Sequence, residues 1–325
     1  MITTKDFEAL TDDLQSIFNE AAKNKVASMK GNEIFNVFDT DRLTFDHQII
    51  HGISGIQKVA EGEDLPKIST KEGDSITWTQ EYYGAIFSVT KKMRKFDLYN
   101  QIKKLPKTLV TDAFDKIDQS FADVLLYGFS ASNYVDVYGE SVPAVGPDGL
   151  AVFSAAHTNN INSNTFSNII TSDTVNPLLS RDAIVAARVQ AATHKDPNGI
   201  KRPINLDTLV VAPSNEDLAE RILYSELINN SGNNDKNTLK GKVKKLIVWE
   251  RLEERSDGTD TSAYWFMFDS TKVDESLQAL FAERPTLDAP DEVYSNKNWD
   301  YSCDFFYAIG RGYPAYIFGS NGTLA

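Results

Sequence analysis

An alternation of apolar and polar side chains predicts a strand over residues 75–82. Ile76 and Trp78 stand between polar neighbours, the period of a strand with one face in water. Beyond Tyr82 the apolar positions shift by one residue, so that Tyr83 and Phe87 carry the pattern onward. A phase change beside a glycine is typical of a bulge or strong bend. We therefore expect the strand to change course at residues 82–84.

The segment before this strand carries charge, Gly and Pro over residues 61–74 and has almost no apolar side chains. Such a tip cannot bury itself, so an extended hairpin in this region needs a surface supplied by a neighbouring molecule. An ordinary mobile surface hairpin is the alternative. The pattern leaves both interpretations open.

The clearest helix follows a basic run at residues 91–95. Pro106 is tolerated in its first turn, and we expect the helix to end before Gly128, giving a rod of roughly 30 Å. Its apolar positions recur at three- and four-residue spacing and are Ile102, Leu105, Leu109, Ala113, Ile117, Phe121 and Val124. The other face, expected to be polar, holds Lys103, Lys107, Asp112, Asp115, Lys116, Asp118 and Asp123. The basic run indicates a solvated or salt-bridged junction between strand and helix more readily than a DNA contact.

Shorter elements fill the second half of the chain. Ser180 is an N-cap for a helix over 181–195, and Ser214 with Asp217 forms a capping box for a helix that reaches Leu227. The predicted strands cover residues 208–212, 243–249, 263–268, 277–282, 301–309 and 313–318. The fold class is therefore α+β.

Composition limits the functions that the chain can have. It has 325 residues, is 41% hydrophobic and 24% charged, and carries a net charge of −13. This is a globular balance, and the negative charge argues against a protein that grips nucleic acid. No apolar run is long enough to span a membrane and the N-terminus does not resemble a signal peptide, so we expect no membrane partner and folding in the cytoplasm. Cys303 lies in a strand pattern and is expected to be a small buried residue.

Enzyme-like motifs are present but incomplete. His47 and His51 have the spacing of a metalloprotease helix, yet Gln48 replaces the general base. Ser154 and His157 are close in sequence but lack the glycine elbow of a hydrolase. Residues 310–315 imitate a dinucleotide fingerprint, but Pro314 prevents the helix that should follow. We expect no enzyme, with no catalytic, cofactor-binding or metal-binding residue and no cofactor.

The order of these parts resembles a known family, the major capsid (major head) proteins of tailed bacteriophages, and within it the Mu-type major head subunits. The resemblance covers nearly the whole chain. It rests on residues 76–78, 83–91, the long helix, 148–157 and 206–213, which are loose similarities that gain weight by occurring together. It implies a structural subunit of an icosahedral head that assembles as hexamers and pentamers around double-stranded DNA without sequence-specific binding.

The resemblance also implies a domain plan. An N-terminal arm takes residues 1–50, the extended loop 51–90, a peripheral domain with its spine helix 91–135, the axial domain 136–275, and return strands of the peripheral domain 276–325. In the arm, the stripe Phe7, Leu10, Leu14, Ile17 and Phe18 either wraps a neighbour or packs on its own subunit.

Further expectations come from the family. With no long N-terminal extension in this sequence, we expect a separate scaffolding protein, together with a portal and a maturation protease, and assembly of the virion in the host cytoplasm. Some relatives join subunits by a Lys–Asn isopeptide bond, for which Lys67 or Lys71 with Asn296 or Asn298 are the formal candidates. A shell protein of a host-encoded compartment is the alternative function, and a cytoplasmic enzyme is a more distant one.

Overall fold

The computed structural model describes residues 4–51, 56, 58–65, 71–96, 101–159, 162–196, 199–227, 235–288, 291–293 and 297–322. The chain divides into two compact units. Unit 1 comprises Met1–Phe45, Trp78–Phe121 and Ala279–Gly310, and unit 2 comprises Asp46–Thr77, Ala122–Gln278 and Arg311–Ala325.

Helices and strands alternate irregularly along the chain, which confirms the α+β class. The α-helices in the described residues are α1 (Thr4–Ser28), α2 (Lys91–Phe96), α3 (Lys104–Leu126), α4 (Arg181–Ala192) and α5 (Glu216–Tyr224). The strands are β1 (Asn36–Asp39), β2 (Thr44–His51), β3 (Lys71–Thr79), β4 (Glu81–Val89), β5 (Tyr134–Val135), β6 (Ser141–Val142), β7 (His157–Asn159), β8 (Asn162–Phe166), β9 (Thr208–Val211), β10 (Lys245–Val248), β11 (Trp265–Phe268), β12 (Leu277–Leu287), β13 (Asp291–Val293), β14 (Asn298–Arg311) and β15 (Ile317–Ser320). Short 3₁₀ turns occupy Gly31–Glu33, Pro213–Asn215, Glu250–Leu252, Val273–Glu275 and Pro314–Tyr316.

Unit 1 is built on a sheet with the strand order β1-β12-β14-β13, in which β4 also pairs with β14. The β4 pairing is antiparallel and runs from Val89 opposite Trp299 to Glu81 opposite Tyr307. Burial alternates along β14, so its odd-numbered residues up to Tyr307 face the core and the intervening even-numbered ones face outward. Within the described residues β14 is the only partner of β4, which is therefore an edge strand.

Helix α3 covers the inner face of this sheet. The hydroxyl of Ser120 lies 2.9 Å from that of Tyr307, and the Lys116 ammonium lies 4.4 Å from the centre of the Tyr83 ring. Lys116, Asp118 and Asp123 are all buried, so the prediction that they lie on a wet face is wrong. The packed neighbours supply polar partners for them, as when the Gly31 amide donates to Asp118.

Helix α1 packs on its own unit. Leu14 and Phe18 are fully buried, Gln15 donates to the carbonyl of Leu287, and Asp13 forms an ion pair with Lys103 at 2.6 Å. Of the two interpretations of the apolar stripe, this part of the helix therefore follows the one in which it packs on its own subunit. The side chain of Phe7 lies outside the described residues.

The change of course predicted at residues 82–84 is wrong in position, because β4 pairs with β14 through these residues without a register shift. The strand break lies earlier, at Gln80, between β3 and β4. The Gln80 side chain is 4% exposed and holds the break in place. Its amide nitrogen donates to the carbonyls of Thr40 and Arg42, and its amide oxygen accepts from the Ala282 N–H. One side chain thus satisfies three backbone groups at the point where the chain leaves one sheet for another.

Unit 2 contains a sheet with the order β10-β9-β11-β15, in which β9 and β10 are parallel and the other pairs antiparallel. Strands β9, β11 and β15 are buried on both faces. Trp265 and Met267 point into a cluster that includes apolar residues of α4 and α5, while Phe266 packs on Phe153 with ring centres 5.3 Å apart. This double burial explains their uninterrupted apolar sequences.

Two cap predictions have different outcomes. Ser180 does cap α4, because its hydroxyl accepts from the Ala183 N–H, although the helix ends at Ala192 instead of residue 195. The capping box at Ser214 is wrong. The hydroxyl and the N–H of Ser214 both donate to the carboxylate of Glu253. A 3₁₀ turn precedes α5, and the helix ends at Tyr224.

The strands after residue 276 are divided between the two units, whereas the sequence predicted one group of return strands. Residues 279–310 belong to unit 1, but β15 pairs with β11 in the unit 2 sheet. The predicted strand over residues 313–318 is a 3₁₀ turn followed by β15, because Pro314 interrupts the ladder.

Candidate assembly surface

Strands β2 and β3 form a two-stranded hairpin, as the sequence predicted. Near its base the Thr77 hydroxyl donates to Asp46 at 2.5 Å. Two apolar side chains of the connecting loop lie in solvent, Ile56 with 94% and Leu65 with 80% of their surface exposed. Residues 66–70 of the predicted tip lie outside the described residues. Large apolar side chains this exposed are typical of a surface that another molecule covers.

A second candidate surface lies on the β4 and β14 side of unit 1 that faces away from α3. We call it the outer sheet face and define it by Tyr82, Ile86, Asp288, Asp300, Ser302, Asp304 and Phe306. Tyr82 and Ile86 are 61% and 69% exposed. The rings of Tyr82 and Phe306 pack with centres 4.7 Å apart. The face therefore has an exposed aromatic and aliphatic part.

The same face is acidic. Asp304 accepts a hydrogen bond from the Tyr82 hydroxyl at 3.1 Å. The Oδ1 atoms of Asp300 and Asp304 are shielded from water, yet neither has a hydrogen-bond partner in the part of the chain that the structure describes. Burial, followed by the hydrogen bond and charge of Asp304, raises the pKa of Asp288, against a smaller opposing effect of Ser302. The face holds more negative charge than its own contacts neutralise.

The basic run forms the short helix α2, which has opposite character. Arg94 fixes it to the sheet, since its guanidinium lies 3.8 Å from the centre of the Trp299 ring and donates to the Lys297 carbonyl. Lys91 and Lys92 are exposed, and neither forms an ion pair with any described residue. Of the two kinds of junction predicted for this run, these two lysines follow the solvated one.

His157 belongs to a buried polar network in unit 2. Its Nδ1 lies 2.7 Å from Asp148 and its Nε2 lies 3.0 Å from the Oδ1 of Asn168. The Asn168 amide nitrogen donates to the carbonyls of Val152 and Pro314, which identifies Oδ1 as the acceptor. Both ring nitrogens therefore face oxygen acceptors, one of which belongs to the Asp148 carboxylate. Burial opposes ionisation of Asp148, but the hydrogen bond and charge of His157 lower its pKa below the ordinary value.

The enzyme-like motifs do not come together as catalytic groups. The Ser154 hydroxyl accepts from the Ala156 N–H, while the His157 ring faces Asp148 and Asn168, so no nucleophile and base are paired. His47 and His51 lie on strand β2 and not on a helix. No group of three potential metal-ligating side chains occurs among the described residues. Burial, then the charges of Asp304 and Asp288, raise the pKa of Cys303 to about 12, and this confirms its prediction as a small buried residue.

His194 lies on the wall of a cavity of about 610 Å³ in unit 2. The residue is 9% exposed. Burial lowers the pKa of its imidazole to about 4, with Asp196 opposing this effect and Lys272 adding to it. The ring is therefore neutral near pH 7, in contrast to the paired ring of His157.

Comparison with known proteins identifies what these surfaces belong to. The family model described as phage capsid protein matches residues 73–318. The chain belongs to the phage capsid protein family. It is therefore a structural shell subunit of a virion, not an enzyme, and it self-assembles. No curated protein sequence matches this phage capsid protein.

Solved structures share the fold at low sequence identity. The capsid of Myoviridae phage XM1 matches with a TM-score of 0.54 and 10% identity over 90% of each chain. A structure from Gordonia phage Cozz matches with a TM-score of 0.51 and 9% identity, over 90% of this chain and 85% of that one. A structure from Mycobacterium phage Adephagia matches with a TM-score of 0.50 and 12% identity, over 91% of this chain and 90% of that one. These matches confirm the fold of a tailed-phage major capsid protein.

Membrane-spanning helices are not found in the part of the chain that is described. Sequence reasoning missed three features of the phage capsid protein, namely the role of Gln80, the His157 network and the outer sheet face. A glutamine at an apolar position of the residue 75–82 pattern was the one available signal for the first. The acidic residues of β14 alternate with apolar ones, but their proximity to Asp288 depends on how the strands pair.

Proposed function

We propose that this subunit is the major head protein of a Mu-type tailed bacteriophage. It forms hexamers and pentamers of an icosahedral shell that encloses double-stranded DNA without reading its sequence. The observation that carries the proposal is the β2–β3 hairpin, whose loop presents Ile56 and Leu65 at 94% and 80% exposure in a chain of the phage capsid family. A loop with this apolar surface is stabilised when it lies over a neighbouring subunit.

The proposed domain plan retains the arm at 1–50, the loop at 51–90, the peripheral domain at 91–135 with return strands at 276–325, and the axial domain at 136–275. Unit 1 supports the peripheral part, since it includes most of α3 and residues 279–310. Unit 2 supports the axial part, since it includes residues 136–275. The strand β15, which lies in the range of the proposed return strands, pairs with β11 of unit 2.

Assembly partners follow from the same proposal. A scaffolding protein guides shell formation, a portal occupies one vertex, and a maturation protease acts on the shell, all in the host cytoplasm. The net charge of −13 suits a shell whose packed DNA must slide and later leave. An isopeptide crosslink is not part of the proposal, and two of its formal candidates, Lys67 and Asn296, lie outside the described residues.

The test is electron microscopy and sedimentation velocity of the purified protein, expressed alone and together with the neighbouring genes of its phage. Shells, tubes or rings of five and six subunits that protect double-stranded DNA from nuclease support the proposal. Shells filled with protein and no DNA indicate a compartment instead. A stable small oligomer in all conditions, with residues 61–74 resistant to protease, would refute it.

A further inference from the structure

Two surfaces of unit 1 are exposed among the described residues and have complementary chemistry. The outer sheet face combines carboxylates with Tyr82, Ile86 and Phe306. The exposed side of α2, which we call the basic face, combines Lys91, Lys92 and Lys95 with Phe96, whose side chain is 58% exposed. Each surface therefore carries an apolar part beside a charged part, with opposite signs of charge.

None of the ion pairs among the described residues involves Asp288, Asp300 or Asp304 of the outer sheet face. Asp300 and Asp304 each keep one shielded oxygen without a hydrogen-bond donor among the described residues. Both aspartates are partly exposed, and a lysine or arginine from outside the subunit would supply a charge that compensates theirs. Arg284 of β12 is engaged by Asp39 at 2.8 Å and lies 5.1 Å from the centre of the Phe281 ring.

The basic face is held in position, and its Lys91 and Lys92 form no ion pair with any described residue. Arg94 anchors α2 through Trp299, so the helix presents its lysines in a defined direction. Lys95 contacts the ring of Phe96 at 5.4 Å, which places ammonium and aromatic groups side by side. A cluster of this kind fits a partner surface with carboxylates next to aromatic rings.

We propose that the basic face of one copy docks on the outer sheet face of a second copy. Lys91 and Lys92 pair with Asp300 and Asp304, and Phe96 covers Ile86 and the Tyr82 ring. Because the two surfaces differ, the contact is heterologous, and its repetition around an axis closes a ring. The inference rests on the proposed function, because it names one contact through which the subunits of a hexamer or pentamer meet.

A charge reversal tests the contact. We expect Lys91→Glu with Lys92→Glu to slow assembly of the purified subunit roughly 10- to 100-fold, because like charges then face each other. The matched control Lys91→Arg with Lys92→Arg keeps the charge and should assemble at the wild-type rate. A second control, Lys236→Glu with Lys242→Glu, makes the same change in net charge on exposed lysines of unit 2. Wild-type assembly by the Lys91→Glu, Lys92→Glu variant would overturn the contact.

The reciprocal change tests the pairing itself. Asp300→Lys with Asp304→Lys should block assembly alone and restore at least part of it when combined with Lys91→Glu and Lys92→Glu. Should these lysines impair folding, Asp300→Asn with Asp304→Asn retains the side-chain size and should weaken both assembly and its dependence on salt. Folded variants without rescue, or an unchanged salt dependence in the Asn variant, would refute the pairing.

A disulfide experiment locates the contact. Chains carrying Ile86→Cys are mixed with chains carrying Phe96→Cys and assembled under oxidising conditions. Cys303 is 1% exposed, so its background reaction is low. A crosslinked dimer that appears only in the mixture supports the docking, and its absence from well-formed mixed shells contradicts it. Absence of any particles from the wild-type chain, even when it is expressed together with the neighbouring genes of its phage, would instead count against the proposed function.

Discussion

The two polar clusters of this protein differ in how completely their groups are satisfied. In the His157 network of unit 2, every buried polar atom described above has a partner, and the network links four stretches of chain. On the outer sheet face of unit 1, two shielded carboxylate oxygens have none among the described residues, and apolar side chains stand beside them in solvent. A satisfied cluster stabilises the subunit that contains it, whereas an unsatisfied one indicates where a second molecule belongs.

Breaking the satisfied cluster should have the largest effect on the isolated subunit. We expect His157→Leu to lower the free energy of unfolding by about 3–5 kcal/mol, because it leaves the Asp148 carboxylate buried without its counter-charge. Urea denaturation followed by fluorescence measures this. The double variant His157→Leu with Asp148→Leu should lose less than the single one. If the single variant lost no more stability than the double variant, the result would contradict the pairing of His157 with Asp148.

Gln80 is a hydrogen-bonded polar group of unit 1. It therefore tests whether a group with its partners in place stabilises the subunit regardless of the unit in which it lies. Gln80→Ala removes three hydrogen bonds and leaves the Ala282 N–H without its partner, so we expect a loss of about 2–4 kcal/mol in the free energy of unfolding. The neighbouring exposed Thr79→Ala serves as the control and should stay within about 0.5 kcal/mol. Similar unfolding midpoints for the two variants would show that Gln80 does not hold the strand break.

His194 is a buried group for which burial outweighs the nearby charge of Asp196, and its effect appears only with pH. Its pKa is about 4 in the folded state against 6.5 unfolded. The unfolded chain thus binds more protons between these values, and stability falls as pH drops from about 6.5 toward 4, by at most about 3 kcal/mol. His47, whose pKa burial also lowers, acts in the same direction.

The measurement is the urea midpoint of wild type and His194→Gln between pH 4.5 and 7.5. The variant should depend less steeply on pH, and the difference between the two proteins should vanish above about pH 7.5 once each is normalised to its own stability there. A parallel pair of curves across the whole range would show that His194 does not titrate in this way.

The unsatisfied cluster should have the smallest effect on the subunit itself. We expect Asp300→Asn with Asp304→Asn to change the free energy of unfolding by no more than about 1 kcal/mol, with a gain favoured because repulsion with Asp288 is removed. Thermal unfolding of the unassembled chain measures this. A loss as large as that of His157→Leu would mean that these carboxylates stabilise their own subunit, and the contrast between the clusters would disappear.

Local patterns of the sequence were sufficient for much of the fold. The three- and four-residue spacing of α3, the Ser180 cap and the uninterrupted apolar run of β9 each follow from interactions between residues close in the chain. The shift of phase beyond Tyr82 indicated a bend in this region but placed it after the break between β3 and β4, which lies at Gln80. The capping box at Ser214 failed because a distant residue, Glu253, competes for the same hydroxyl.

What the sequence by itself determined is the α+β class, the positions of the long helix and hairpin, and the resemblance to a capsid subunit. Only the tertiary structure decided that Lys116 and Asp123 are buried, that β15 joins the unit 2 sheet, and that Asp288 and Asp304 share one face. The physical reason is the distance along the sequence over which each interaction acts. Periodicity and capping depend on neighbours within a few positions, whereas burial of a charge and the crowding of carboxylates depend on which distant strands pair.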